Sequence, residues 1–150
     1  MTLGFIRNTL DLDLLVPERN RSQWLDLLQD LGYRFFHGIA AFAQFESPRS
    51  GGMPVDLMFV DNATWKNLAE GALEKDFGGV RASVPRPEHL VALKLHAALS
   101  PTRTKPESDW EDIRQIIQLC GLDPKDESFR ALILRYGGQN GLSRIEQFTG

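Results

Sequence analysis

Two aspartates in the middle of an apolar strand constrain this chain more than any other feature of its sequence. Residues 10–16 alternate in polarity and then become apolar, which predicts a β-strand. Side chains two residues apart in a strand point to the same face, so Asp11 and Asp13 share one face and the alternate leucines share the other. Aspartate is a poor strand former, and like charges on one face repel. Such a local cost is typical of a functional site.

A third aspartate repeats this pattern in a second predicted strand, Val55–Val60. If the two strands are neighbours in register, Asp11, Asp13 and Asp56 converge on one face of the sheet. A hard cation, Mg²⁺ (or Mn²⁺), prefers such oxygen ligands and supplies the missing positive charge. Two such ions about 3.5–4 Å apart activate an attacking hydroxyl and stabilise leaving pyrophosphate. The alternative is a solvated acidic face on an exposed strand.

The remaining patterns predict a mixed α+β chain. The predicted strands lie at residues 33–37, 41–46 and 80–84, and the predicted helices at residues 21–31, 62–75, 87–99, 108–119 and 126–136. We therefore expect a sheet core over residues 1–84 and a small helical subdomain over residues 85–150, together one compact unit. A cleft between the two parts is the expected ligand site.

Composition narrows the cellular setting and the partners. A single cysteine, Cys120, excludes an internal disulfide framework and fits a reducing cytoplasm. The sequence contains neither an apolar run long enough to span a bilayer nor a signal-peptide pattern, so we expect a cytoplasmic protein without membrane partners. The net charge of −3 gives no general attraction to nucleic acid. A local basic stretch indicates either a solvated face or an anion-docking site: Arg81, Arg86, Lys94, Arg103 and Lys105.

Two motifs resemble those of a known family. The run GFIRNTLDLDLLV, residues 4–16, resembles the stretch G-x-x-R-x-T-x-D-x-D-L-L-V of nucleotidyltransferase-like proteins. PEHLVALKL, residues 87–95, and DWEDI, residues 109–113, resemble the family's P-E-x-L-x-A-L-K-L and D-x-x-D-I helices, with a basic turn between them. The chain is thus similar to the AbiEii-type and MenT-type toxins of abortive-infection and toxin–antitoxin systems, within the DNA polymerase beta-like nucleotidyltransferase superfamily. The resemblance spans about residue 4 to about residue 119.

The resemblance implies a nucleotidyltransferase-like mixed sheet with flanking helices, and it implies an activity. Asp11 and Asp13 match the metal-binding pair of the family, and Asp56 matches its third strand carboxylate, a metal ligand or general base. The implied reaction moves a nucleotidyl group from a nucleoside triphosphate to an acceptor hydroxyl, on transfer RNA or on a protein. A cognate antitoxin is the partner that the toxin setting implies.

The same resemblance implies four nucleotide-binding residues. Lys94 matches a helix lysine that contacts the nucleotide phosphates, and Asp109 matches a helical acid near the same site. Arg7 and Thr9 precede the metal strand and are expected to contact phosphate or substrate. Structural alternatives remain open, because Lys94 could extend from an amphipathic helix into solvent and Asp109 could serve only the helix dipole.

One departure from the family leaves a second hypothesis open. The family carries a helix and an hG[GS] turn ahead of residues 4–16, and we expect that segment to be missing here, because the sequence starts only a few residues earlier. The chain could then be a catalytically degenerate protein of the same fold that binds an antitoxin or forms a homodimer. A metal-dependent nuclease is a third reading, disfavoured because no acid-x-lysine pair follows on a strand.

Overall fold

The computed structural model describes residues 11–101 and 103–150. The described residues belong to two compact units, residues 11–70 and 71–150. Arg7 and Thr9 lie outside the described residues, so their expected phosphate contacts stay predictions, as does the domain boundary at residue 84. Among the described helices, none combines the length and the apolar character that crossing a bilayer requires.

The first unit contains a four-stranded mixed sheet. Its strands are β1 (Leu12–Pro17), β2 (Arg34–Gly38), β3 (Phe42–Glu46) and β4 (Val55–Val60). Their order in the sheet is β1-β4-β3-β2, with β1 parallel to β4 and the other two pairs antiparallel. Parallel neighbours need a crossover connection, which here runs through α1 (Arg21–Asp30), β2 and β3. The predicted α+β class with a mixed sheet is confirmed.

The apolar face of this sheet packs against α1. Gly32, at a φ of 86°, follows the helix and turns the chain into β2. The buried residues of this core come from β1, β3, β4 and α1: Val16, Leu28, Ala43, Phe45, Val55, Leu57 and Phe59. Burial of this alternating set decides which side of each strand faces inward.

The second unit begins with a hairpin that the sequence analysis only half predicted. The helix expected over residues 62–75 is α2 (Asn62–Gly71), which lies at the end of the first unit. It is followed by the strands of the hairpin, β5 (Leu73–Phe77) and β6 (Val80–Val84). The predicted helix end at residue 75 was wrong, because residues 73–77 form a strand that a two-residue turn pairs with β6. Gly78 and Gly79 have φ values of 64° and 93°, which is the backbone that a tight hairpin requires.

Three helices complete the second unit: α3 (Pro87–Ala98), α4 (Pro106–Cys120) and α5 (Glu127–Thr149). All three were predicted, but α5 extends well beyond the expected end at residue 136. The chain breaks its helical path at Gly138 and then resumes it. Helix formation resumes because the following segment still has apolar side chains to bury, including the fully buried Leu142 and Ile145.

We predict that Gly138→Ala lowers the free energy of unfolding by about 1–3 kcal/mol, because its backbone lies in a region that is essentially restricted to glycine. Its φ is 61° and its ψ is −169°. Gly141→Ala is the matched control in the same helix, since a Cβ there would lie 3.6 Å from Leu95 Cδ2, an ordinary contact. Chemical denaturation compares the two variants. Equal stability of the two would contradict the prediction.

Candidate metal centre

The parallel pairing of β1 with β4 brings the three predicted aspartates together. Asp13 and Asp56 are direct register partners across the two strands. Asp11 lies just before β1, where a 2.9 Å hydrogen bond from Leu12 N to Pro54 O continues the pairing. Each of the three aspartates offers a carboxylate oxygen, and these oxygens lie within 4.8 Å of one another. The convergence expected from the sequence is therefore present.

Strand alternation keeps these carboxylates out of the core. Leu14 and Leu57, next to Asp13 and Asp56 along their strands, pack in the hydrophobic core. The acids consequently occupy the opposite face, where Asp13 is exposed and Asp11 and Asp56 are partly buried. The same packing that stabilises the sheet therefore fixes the separation of the charges.

A fourth polar side chain, Gln44, joins the group from β3. It is the register partner of Asp56 on the side away from β1. Its Nε2 donates a hydrogen bond of 3.3 Å to Asp56 Oδ2. Gln44 was not among the site residues predicted from the sequence. The sequence does show Gln44 as a polar residue between the apolar Ala43 and Phe45 of a predicted strand. It does not show that Asp56 is the neighbour of Gln44 across the sheet, because that depends on the register of the strands.

The electrostatic environment of Asp56 follows from this placement. Burial raises the pKa of its carboxyl group, the Gln44 hydrogen bond acts in the opposite direction, and the negative charge of Asp11 raises the pKa further. Ionisation of Asp56 is therefore less favourable in the folded protein than for an aspartate in water. A divalent cation beside Asp56 would act in the opposite direction and favour the ionised carboxylate.

The donor set fits a hard divalent cation. All three ligands are carboxylate oxygens, which Mg²⁺ and Mn²⁺ prefer over softer donors. Opposite ligands in an octahedral Mg²⁺ shell are separated by about 4.2 Å, twice the usual metal–oxygen distance. The 4.8 Å limit of the cluster is close to this span. Three protein ligands would leave about half of the shell for water and substrate oxygens.

The second unit places the other two described site candidates in one ionic network. Lys94 Nζ lies 2.9 Å from Asp112 Oδ2 and 3.6 Å from Asp109 Oδ1. Arg103 donates two hydrogen bonds to Asp109, of 2.6 Å and 2.9 Å. Asp109 is only 1% exposed, so these cations neutralise a buried charge. The network joins α3, the following turn and α4; the contact of Lys94 and Asp109 with a nucleotide stays a prediction.

The likeness of this chain to known proteins is found among solved structures. No protein-family model matches the chain. No curated protein matches it either. Among solved structures, the chain is similar to an antigenic nucleotidyltransferase-like protein from Paracoccidioides brasiliensis, with 17% sequence identity and a TM-score of 0.46. The match covers 91% of this chain and 74% of that chain.

We predict that Arg103→Met lowers the free energy of unfolding by about 3 kcal/mol, because it leaves the buried Asp109 carboxylate with Lys94 as its remaining cation from this set. Arg114→Met is the control, since Arg114 forms an exposed ion pair with Glu111 on α4. Thermal denaturation at neutral pH measures both variants. Similar melting temperatures for the two would argue against a structural role for the network.

We also predict that Mg²⁺ or Mn²⁺ stabilises the protein, by about 2.7 kcal/mol when the cation is at 100 times its Kd. Asp56→Asn should remove this stabilisation while leaving the metal-free variant at least as stable, because the substitution removes one of three repelling charges. Asp26→Asn, an exposed acid on α1, is the control that should retain the response. A metal response that is the same in both variants would place the cation elsewhere.

Proposed function

We propose that this protein is a metal-dependent nucleotidyltransferase that moves a nucleotidyl group from a nucleoside triphosphate to an acceptor hydroxyl. The observation that carries the proposal is the meeting of three carboxylates from two adjacent parallel strands, with oxygens within 4.8 Å of one another. An all-oxygen site of this kind binds the cations that accompany nucleoside triphosphates.

Each carboxylate has a role in this reaction. Asp11 and Asp13 hold the divalent cation, and Asp56 is either a third ligand or the proton acceptor. When bound, the cation supplies positive charge against the phosphates and favours ionisation of the acceptor hydroxyl. The acceptor oxygen forms a bond to the α-phosphorus, the bond from that phosphorus to the bridging oxygen breaks, and pyrophosphate leaves. The place of Asp56 directly opposite Asp13 in the paired strands supports either role for it.

The binding of the nucleotide is part of the same proposal. Its phosphates contact Arg7, Thr9 and Lys94. Asp109 holds the side chains of Lys94 and Arg103 in place. The partial exposure of Lys94, 35% of its side chain, supports access of an anion to this ammonium group. The bidentate contact of Asp109 with Arg103 supports the indirect role of this acid.

The proposed setting follows from the sequence motifs alone. Residues 4–16, 87–95 and 109–113 resemble AbiEii-type and MenT-type toxins, which favours a toxin–antitoxin or abortive-infection role in the cytoplasm. Transfer RNA is then the first acceptor to test, and a protein hydroxyl is the second. Mg²⁺ is the proposed cofactor, with Mn²⁺ as the replacement that the same oxygen ligands accept.

A second candidate is a catalytically degenerate protein of the same fold that acts by binding a partner. The observation that favours it is the edge strand β2, where Phe35 and Phe36 are 63% and 66% exposed. An apolar strand at the edge of a sheet is typical of a surface that pairs with another chain. An antitoxin or a second copy of this chain would be that partner.

We predict that the full chain releases pyrophosphate from at least one of the four nucleoside triphosphates when Mg²⁺ or Mn²⁺ and bulk transfer RNA are present. Asp13→Asn and Asp56→Asn should each lower the rate by about 100-fold or more, because each removes an ionised group that the reaction uses. Asp26→Asn is the matched control and should retain the wild-type rate. Nucleotides labelled at the α-phosphate identify the acceptor by its retained label.

The same assay separates the two candidates. Absence of label transfer with every nucleotide, from a chain that binds the cation, would overturn catalysis with the acceptors tested. If Phe36→Asp then abolishes self-association or capture of the co-expressed antitoxin, the binding role is supported. If label is transferred and Phe36→Asp leaves the rate unchanged, catalysis is independent of the β2 edge.

A further inference from the structure

We infer that Gln44 is a positioning residue that sets how Asp56 binds the cation, and that it thereby favours Mg²⁺ and Mn²⁺ over Ca²⁺. This inference rests on the proposed metal centre. It assigns the choice of cation to an uncharged side chain that does not itself belong to the carboxylate cluster.

The position of Gln44 follows from the sheet. Asp56 lies on β4 between Asp13 of β1 and Gln44 of β3, each its direct register partner. Directly opposite residues of an antiparallel pair have Cβ atoms about 4.5–5.5 Å apart on the same face. The hydrogen-bonded strands therefore place the backbone of Gln44 beside Asp56. Only the side-chain torsions of this partly buried residue then determine where its amide lies.

The hydrogen bond gives this position a chemical consequence. Gln44 Nε2 donates to Asp56 Oδ2 at 3.3 Å. This donation occupies a lone pair of one carboxylate oxygen and restrains rotation of the group. Asp56 then offers its other oxygen more readily than both oxygens together. The amide thus favours binding of the cation through a single carboxylate oxygen.

The binding mode of a carboxylate discriminates between cations. Mg²⁺ requires near-ideal octahedral geometry at about 2.0–2.1 Å, whereas Ca²⁺ accepts six to eight oxygens at about 2.3–2.6 Å, often with bidentate carboxylates. A restrained single-oxygen Asp56 therefore fits the smaller shell. Partners that orient metal ligands typically change affinity by about 10–100-fold when they are removed.

The surroundings of Gln44 indicate that core packing does not require an amide there. Its strand neighbours Ala43 and Phe45 are 3% and 4% exposed and supply the inward contacts of β3. Glu46, two residues further along β3, forms an ion pair of 2.9 Å with Arg34. Gln44 thus contacts the carboxylate cluster from β3 through its hydrogen bond to Asp56.

The test compares the affinities of Mn²⁺ and Ca²⁺ in the full chain by isothermal titration calorimetry, with electron paramagnetic resonance as a second measure of bound Mn²⁺. Gln44→Met keeps the length of the side chain but removes the donor. Gln44→Glu is nearly isosteric and replaces the donor with a carboxylate. Both should lower the ratio of Mn²⁺ affinity to Ca²⁺ affinity by about 10-fold. Gln29→Met, the same change at an exposed position on α1, should leave the ratio unchanged.

The ratio is the decisive readout, because a general loss of structure would weaken both cations together. If Gln44→Met fails to fold by circular dichroism, Gln44→Glu decides the question. Wild-type ratios in the Gln44 variants, with Mn²⁺ affinity lost in Asp56→Asn, would overturn the role of Gln44 and leave the metal centre intact. Absence of Mn²⁺ and Mg²⁺ binding by the wild-type chain would overturn the proposed metal centre itself.

Discussion

Repulsion among the carboxylates of Asp11, Asp13 and Asp56 is the physical constraint on the polar face of the first unit's sheet. The pairing of β1 with β4 holds Asp13 opposite Asp56, and the backbone ladder prevents the two strands from separating to relieve the repulsion. Protonation of a carboxylate, hydrogen bonds to the carboxylates or a bound cation can each reduce this repulsion. The structure already contains the hydrogen bond, from Gln44. The chemistry that we propose uses the cation.

Much of this centre could be predicted from the sequence, because strand alternation is a local property. The positions of Asp11, Asp13 and Asp56 followed from apolar neighbours at every second residue, and β4 has the bounds that its composition indicated. Gln44 could not be predicted as a member, since its proximity to Asp56 depends on the pairing of β3 with β4. Register of this kind is decided by which faces are buried across the whole sheet.

The second unit shows what local patterns leave out. Lys94 and Asp109 were predicted to lie near the same nucleotide site. The fold places them with Arg103 and Asp112 in one ionic network, which the motifs did not predict. The burial of Asp109 depends on the packing of α3 and α4, which the motif alone does not reveal. Likewise, the helix expected over residues 62–75 stopped short because the hairpin turn at residues 78–79 outweighed the helical pattern before it.

The crossover between β1 and β4 has a kinetic consequence. Asp13 and Asp56 are far apart along the chain, and α1, β2 and β3 lie between them. Contacts between distant segments form slowly, because closing a long loop costs entropy before any contact is gained. The folding chain must also bring like charges together as the two strands meet. Dissolved divalent salt and low pH should therefore accelerate this step, which links the speed of folding to the ionic composition of the surrounding solution.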